Sequence, residues 1–144
     1  MARDLTPLFE PRGVVVTGVS SHPGKFGFVT FHNLLACGYE GDVFAVGREA
    51  GTVLDRLVLE SIDALPDGLA ELLVVCTPVS VNEEIIRTAA ARGVRAVFVA
   101  AGGYSEAGPE GAAAEARLVA LADELDLVLA GPNGQGITSP PVGL

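Results

Sequence analysis

The sequence predicts an α/β fold, a doubly wound and mainly parallel sheet with helices on both faces. Three observations carry this. Short, apolar, β-branched runs recur along the chain, among them Val14–Thr17 and LLVVC at 72–76. Stretches of helical length with apolar residues on one face separate them. Gly, Pro and small hydroxyl residues gather just after the runs. An unbroken apolar strand is covered on both faces, and strands that alternate with helices pair in parallel through right-handed crossovers.

Val14–Thr17 reads as the first strand. Lys25–Cys37 reads as a helix, with Phe28, Phe31, Leu34 and Leu35 at helical spacing and Gly38 as its natural terminator. Asp42–Val46 is the second strand. RLVLESIDALP gives a short strand near Leu57–Leu59 and then a short helix that Pro66 ends. Leu72–Cys76 is another buried strand. Val79–Arg92 is a helix with Val81, Ile85, Ile86 and Ala89 on one face, closed by Gly93. Val94–Ala101 is a strand, Glu110–Leu125 an Ala-rich helix, and Leu127–Ala130 the last strand, followed by GPNGQG. The succession is Rossmann-like. Residues 1–136 are expected to form the domain, and the proline-bearing tail, 137–144, to begin a linker towards a following domain.

The bulk numbers agree. A chain of 144 residues makes one domain with a proper core. The hydrophobic fraction is 49%, with 18 glycines and no Trp, which suits small side chains packed tightly about a sheet. No apolar run approaches the roughly 18 residues of a membrane span, and the N-terminal stretch lacks the apolar core of a signal peptide. Cys37 and Cys76 stand at unrelated spacing, so neither a disulfide framework nor a zinc site is expected, and the expected compartment is the reducing cytoplasm. A net charge of −9 argues against nucleic-acid binding. It leaves room for an anionic small ligand held by backbone N–H groups and a few placed cations. The basic residues are eight Arg and one Lys, and that lysine, Lys25, lies in the first glycine-rich loop.

That loop, VVVTGVSSHPGKFG, imitates a phosphate-binding loop and fails as one. Five residues separate Gly18 from Gly24 where the ATP-binding pattern has four, and Phe26 stands where a magnesium-binding Ser or Thr belongs. The dinucleotide pattern G-x-G-x-x-G is absent too. What remains is a backbone turn with Ser20 and Ser21 as hydrogen-bonding groups, Pro23 as a stiffener, and Lys25 at a helix start. Gly27 permits close packing of that helix on the sheet. In doubly wound sheets ligands bind beyond the carboxyl ends of the strands. The segments there are GVSSHPGKFG, GREAG, TPVS, GGYSEAG and GPNGQG, all rich in Gly, Pro, hydroxyl or amide residues. The second holds Gly47 and Arg48 where an NAD site carries an acid, and an arginine suits a ribose phosphate, as in NADP or coenzyme A. No Ser-His-Asp set, metal-ligand spacing or nucleophile elbow appears. Glu83 and Glu84 are expected to open a helix and favour its dipole, and His32 to be packed or on the surface.

Taken in order, LFEPRGVVVTGVSSHPGKFG, NLLACGYEGDVFAVG, LLVVCTPVS, GVRAVFVAAGGYSEAG and GPNGQGI resemble the N-terminal coenzyme A-binding domain of the NDP-forming acyl-CoA synthetases, relatives of the succinyl-CoA synthetase alpha subunit. The resemblance covers almost the whole chain. The family's first loop, G-A-S-x-x-P-x-K-x-G, maps onto Gly18, Val19, Ser20, Pro23, Lys25 and Gly27. Its V-N-P loop maps onto Val46, Gly47 and Arg48, and its V-P loop onto Thr77 and Pro78. S-A-G-F-x-E maps onto Ala100, Ala101, Gly102, Gly103, Tyr104 and Glu106, with Tyr104 one place later than the usual Phe. G-P-N-C maps onto Gly131, Pro132, Asn133 and Gly134. Val-Gly-Arg for V-N-P and Gly134 for the Cys are departures. The resemblance implies a CoA-binding module whose cofactor-binding set is Gly18, Val19, Ser20, Pro23, Lys25, Gly47, Arg48, Thr77, Pro78, Ala101, Gly102 and Asn133. It implies no catalytic residue in this chain, since the phosphohistidine domain and the ATP-grasp portion are separate partners, and no metal, membrane or nucleic acid. Two other readings stay open: a stand-alone CoA-binding regulator or carrier, and an NADP-binding domain supported by Arg48 alone.

Overall fold

Val14, Val15 and Val16 are fully buried, as a β-branched run without polar alternation requires of a strand covered on both faces. They lie in β1 (Gly13–Thr17), inside a seven-stranded sheet. The structure is a computed structural model and describes residues 2–144. A four-residue helix, α1 (Thr6–Phe9), precedes β1. There follow α2 (Phe26–Ala36), β2 (Asp42–Val46), β3 (Gly51–Val53), β4 (Arg56–Leu59), β5 (Leu72–Val75), α3 (Val79–Ala91), β6 (Ala96–Val99), α4 (Pro109–Glu124) and β7 (Val128–Ala130).

The strand order is β3-β4-β2-β1-β5-β6-β7. Every pairing is parallel except that of β3 with β4. From β1 the chain steps one way to β2 and β4, then returns to β5 on the other side and continues to β6 and β7. The boundary between β1 and β5 is therefore where the winding reverses, and where such a sheet opens a crevice at its carboxyl edge.

The period of two along a strand divides the core in two. Val15, Leu73, Val75, Val97 and Val99 face α3 and α4, meeting Ile86, Ala89, Leu118 and Leu121. Val14, Val16, Leu72, Val74 and Phe98 face the other way, onto Leu8 of α1 and Phe31 and Leu34 of α2. The doubly wound fold is present, and the expected strands and helices coincide with observed ones to within two residues at either end.

Besides α1, which was not expected, three features depart from expectation. β3 and its hairpin turn into β4 were not foreseen: Leu54 and Asp55 both take positive φ, 51° and 60°, in a two-residue turn without the Asn-Gly pair that advertises one. The short helix before Pro66 is a single 3-10 turn, Ile62–Ala64, whose N-cap Ser61 accepts from the Asp63 N–H. Glu83 does not open its helix: α3 begins at Val79, and Glu83 accepts from Arg117 of α4 at 2.9 Å.

The tail folds back on the domain. The Ser139 N–H donates to the Leu144 carbonyl at 2.7 Å, and the Leu144 N–H to the Ser139 carbonyl at 3.2 Å. Ile137 and Leu144 pack on the α2-side core. Between the tail and α2 lies an open groove of about 660 Å³, lined by Phe26, Val29, Phe98 and Ile137 among others. No helix among the described residues is long and apolar enough to cross a membrane.

Candidate functional site

Parallel strands that stop level with one another bring their following loops together. At the end of β1, Gly18 has φ +74°, and a Cβ there would lie 2.7 Å from the Cys76 carbonyl oxygen. A side chain would separate the loops after β1 and β5, so glycine permits the close approach. Gly27, in the first turn of α2, is packed on Gly18 so tightly that a Cβ would come within 2.2 Å of its carbonyl oxygen. The helix start is thereby pressed onto the turn. Lys25 is the N-cap residue of α2, with no side-chain cap, so the N–H groups of the first turn face the loop without a protein acceptor from that residue.

The residues read from the sequence divide into those that present groups and those that build the edge. Val19 is buried, and its N–H donates to the Val46 carbonyl at 3.0 Å. The Gly47 N–H is likewise bound, to the Leu59 carbonyl at 2.9 Å, and its missing Cβ admits the Val19 carbonyl. Ala101 receives the Asn133 N–H on its carbonyl at 3.0 Å, joining the loops after β6 and β7. Asn133 has φ 52°, which brings its amide oxygen 3.5 Å from where a Gly102 Cβ would be. Ser20 is half-buried, and its Oγ accepts the His22 N–H at 3.3 Å, which shapes the turn. Pro23, Lys25, Arg48, Pro78 and Gly102 are exposed. A cleft of about 80 Å³ lies between the first two loops, lined by Ser20, Ser21, Glu49 and Thr52 among others.

Three residues outside the expected set organise the far half of the edge. Thr17, Asn82 and Tyr104 are buried and linked through Thr77. The Cys76 N–H donates to Thr17 Oγ1 at 3.3 Å, and Thr17 Oγ1 lies 3.1 Å from Thr77 Oγ1. The Thr77 hydroxyl donates to Asn82 Oδ1 at 2.7 Å, and Asn82 Nδ2 donates to the Tyr104 hydroxyl at 3.0 Å. This chain of bonds ties β1, β5, α3 and the loop after β6. The sequence shows only that a Thr ending an apolar strand and an Asn facing the sheet from a helix require partners when buried, and not which ones. Glu106 builds the next loop. Its carboxylate accepts from the Gly103 N–H, and from the Tyr104 N–H at 3.1 Å. Its own backbone N–H, then those of Gly103 and Tyr104, hold the carboxyl below its ordinary range. Burial pushes the neighbouring Cys76 thiol up to about 11, partly opposed by a hydrogen bond with Thr30.

The electrostatics are selective. Among the described residues, Arg3, Arg12, Arg87, Arg92, Arg95 and Arg117 are each paired with a carboxylate. Among the described residues, the Lys and Arg side chains in no ion pair are Lys25, Arg48 and Arg56. Arg56 opens β4, at the opposite edge of the sheet. Lys25 and Arg48 follow β1 and β2 at the carboxyl edge, so on a chain of net charge −9 two of these three uncommitted cations lie on the side where the loops converge. Among the described residues no cluster of His, Cys, Asp and Glu could hold a metal ion. His22 and His32 are both exposed, and His32 stacks on Phe28 with ring centroids 6.3 Å apart.

Comparison with known proteins identifies relatives of the fold. Residues 12–139 match the profile of the CoA binding domain family. The chain is 31% identical over 144 residues to the acetate–CoA ligase (ADP-forming) I subunit alpha of Pyrococcus furiosus, covering 97% of this chain and 31% of that protein. It is 30% identical over 140 residues to the acetate–CoA ligase (ADP-forming) II of Archaeoglobus fulgidus, covering 97% of this chain and 21% of that one. Among solved structures, the dinucleotide-forming acetyl-coenzyme A synthetase 1 of Ca. Korarchaeum cryptofilum, in complex with phosphate and ADP, superposes with a TM-score of 0.90 at 28% identity, over 98% of this chain and 30% of that one. The chain spans less than a third of the length of each.

Proposed function

The chain belongs to the CoA-binding domain family, and on that footing we propose that it holds coenzyme A across the carboxyl edge of the sheet, with phosphates at Lys25 and Arg48. The observation that carries this is the pair of uncommitted cations in the loops that follow the neighbouring strands β1 and β2, Lys25 among them at the uncapped start of α2. A phosphate gains there from the helix dipole, from first-turn N–H groups and from two full charges. Ser20 and Ser21 add hydroxyls on the same side. Phe26 stands where the ATP-binding pattern has its magnesium-binding Ser or Thr, so on this reading the phosphates are held and not cleaved. Gly102 and Asn133, beyond β6 and β7, would flank the rest of the ligand as it crosses the β1–β5 boundary.

CoA supplies a thiol as the acyl acceptor, and this chain's part is to bind and orient it. No catalytic residue is assigned here. The parent reaction on this reading is that of an ADP-forming acid–CoA ligase, in which a phosphohistidine domain and an ATP-grasp portion provide activation of the acid. Residues 137–144 would then lead towards such a domain, and the working compartment would be the cytoplasm.

Calorimetric titration of the 144-residue chain with CoA tests the proposal. Saturable binding is expected, weakening with added salt as phosphate contacts are screened. Lys25→Ala should weaken it about tenfold, the loss of one charge-assisted contact. No CoA binding by the folded chain, or NADPH binding more tightly than CoA, would defeat it.

A further inference from the structure

On the α2 face of the sheet, β5 and β6 carry no crossover helix. Both later crossovers, α3 and α4, pack on the opposite face. What lies there instead is the open groove of about 660 Å³ between α2 and the tail. Its floor is Leu72, Val74 and Phe98, buried side chains of the two strands. One wall is a single face of α2, with Phe26, Val29, Thr30, Asn33, Leu34 and Cys37 at helical spacing. The other is the tail, which the paired hydrogen bonds of Ser139 and Leu144 hold in shape.

No charged side chain lines this groove, on a chain with 9 basic and 18 acidic residues. Phe26 and Val29 stand 48% and 40% exposed on its wall. A charge entering would lose water and find no partner, whereas an apolar group would lose only contact with water. The tail already roofs the slot, which leaves a trough of ligand size. Its two ends differ. At the amino edge of the sheet the tail meets the end of α2: Gly143 has φ +74°, and a Cβ there would lie 2.5 Å from the Gly38 carbonyl oxygen. At the carboxyl edge the rim holds Phe26, directly after Lys25, and Gln135, two residues after Asn133. Gly134 rests on the floor, where a Cβ would lie 2.5 Å from Phe98 Cε2.

Resting on the CoA reading above, we infer that this groove takes the acyl group of an acyl thioester of CoA, and that the chain it takes is uncharged and apolar. CoA laid from Lys25 and Arg48 towards Gly102 and Asn133 brings its thiol end to the segment that forms the groove's rim. An acyl group on that sulfur then has the carboxyl-edge opening before it. Its methylenes leave water against Val29, Phe98 and Ile137, all of which line the groove. The 11-residue α2 gives the wall a length of about 16 Å, room for a chain of several carbons. The cations at the edge suit the phosphates, and the neutral groove suits the part of the thioester that carries no charge.

Calorimetric titration of the 144-residue chain with CoA, acetyl-CoA, butanoyl-CoA and hexanoyl-CoA tests this. Affinity should rise along the series by up to about fourfold per methylene buried, with an increasingly negative heat-capacity change. Glutaryl-CoA, whose chain ends in a carboxylate, should gain nothing over acetyl-CoA. Val29→Trp fills the groove from its exposed wall and should flatten the series. Should that variant melt early by circular dichroism, Val29→Glu, which puts a charge into the groove, serves in its place. Equal affinities along the series, or a rise that the Val29 variant preserves, overturn the inference and leave the CoA reading standing. A dimer of the unliganded chain that Val29→Trp dissociates overturns it likewise, the groove then being covered by a second copy. A folded wild type that binds neither CoA nor its thioesters removes the CoA reading and this inference together.

Discussion

The Asn82 side-chain amide donates to the Tyr104 hydroxyl over 3.0 Å, between α3 and the loop after β6. Both residues are almost fully buried, so each polar group depends on the other. Tyr104→Phe keeps the ring and orphans the amide hydrogen. The expected cost is about 1–3 kcal/mol, the penalty of a buried unsatisfied donor, read as a lower urea midpoint with an unchanged slope. A variant as stable as wild type would mean that the Asn82 amide finds another partner.

Gly27→Ala should separate helix propensity from packing. In an exposed helix the change would gain up to about 1 kcal/mol. Here the new Cβ would sit 2.2 Å from the Gly18 carbonyl oxygen, a backbone atom. Either α2 lifts from the turn or the turn moves, with a net destabilisation of about 1–3 kcal/mol. CoA affinity should fall with it, since the uncapped start of α2 would be displaced from the first loop. A raised melting temperature would contradict the packing argument.

Much of this site was legible in the sequence because glycine spacing records backbone distance. Gly18, Gly27 and Gly47 are each a place where a Cβ would strike another backbone, and all three stand in the glycine-bearing loops that the sequence marks. Lys25 stood out as the single lysine of a net acidic chain. The buried chain of bonds was not legible, because its members lie apart: Thr17 and Thr77 meet only once β1 and β5 pair, and Asn82 meets Tyr104 only across α3 and β6. Sequence distance hid these pairings. The β3–β4 turn was missed for the opposite reason. It is local, but its residues, Leu54 and Asp55, are poor advertisements for positive φ.

The pair Arg12–Glu71 sets an acid limit on stability. Glu71 is buried, and accepts from Arg12 Nη2 at 2.6 Å, from Arg12 Nε at 2.9 Å and from the Arg12 N–H at 2.9 Å. The side-chain bonds to Arg12 hold its carboxyl below the ordinary glutamate range, outweighing its burial. A carboxyl whose folded pKa is depressed stabilises the fold fully above its unfolded pKa. The contribution is lost as pH falls from there through the folded value. Glu71→Gln should therefore be markedly less stable than wild type at pH 7, and the gap should close as the solution is acidified below the ordinary glutamate range. Denaturation midpoints between pH 7 and pH 3 check this, and a constant gap would refute it.

The two thiols should differ sharply in reactivity. Burial lifts the Cys76 thiol to about 11, so little thiolate is present at pH 8, whereas Cys37 is exposed at the end of α2. Iodoacetamide on the native chain at pH 8 is expected to add one carbamidomethyl group, at Cys37, with a second appearing only in denaturant. Peptide mass analysis assigns the sites. Native modification of Cys76 would show that the loops after β1 and β5 open far more readily than their packing implies.

The β3–β4 hairpin offers the test in which stability should rise. Gly51 pairs with Val58 and Val53 with Arg56, which leaves Leu54 and Asp55 as the two turn residues. Both adopt the left-handed conformation, which strains an L side chain by about 1 kcal/mol or more. Asn and Gly relieve that strain in this kind of turn, while Gly returns part of the gain through its freer unfolded state. Leu54→Asn with Asp55→Gly is therefore expected to stabilise the chain by about 1 kcal/mol. Leu54 is partly exposed and outside both core clusters, so its removal costs little packing. Neither Leu54 nor Asp55 lines the cleft beside Ser20 and Ser21, so CoA affinity should not change. A gain in stability with a loss of affinity would mean that the strain at Leu54 and Asp55 holds the second loop in its binding shape.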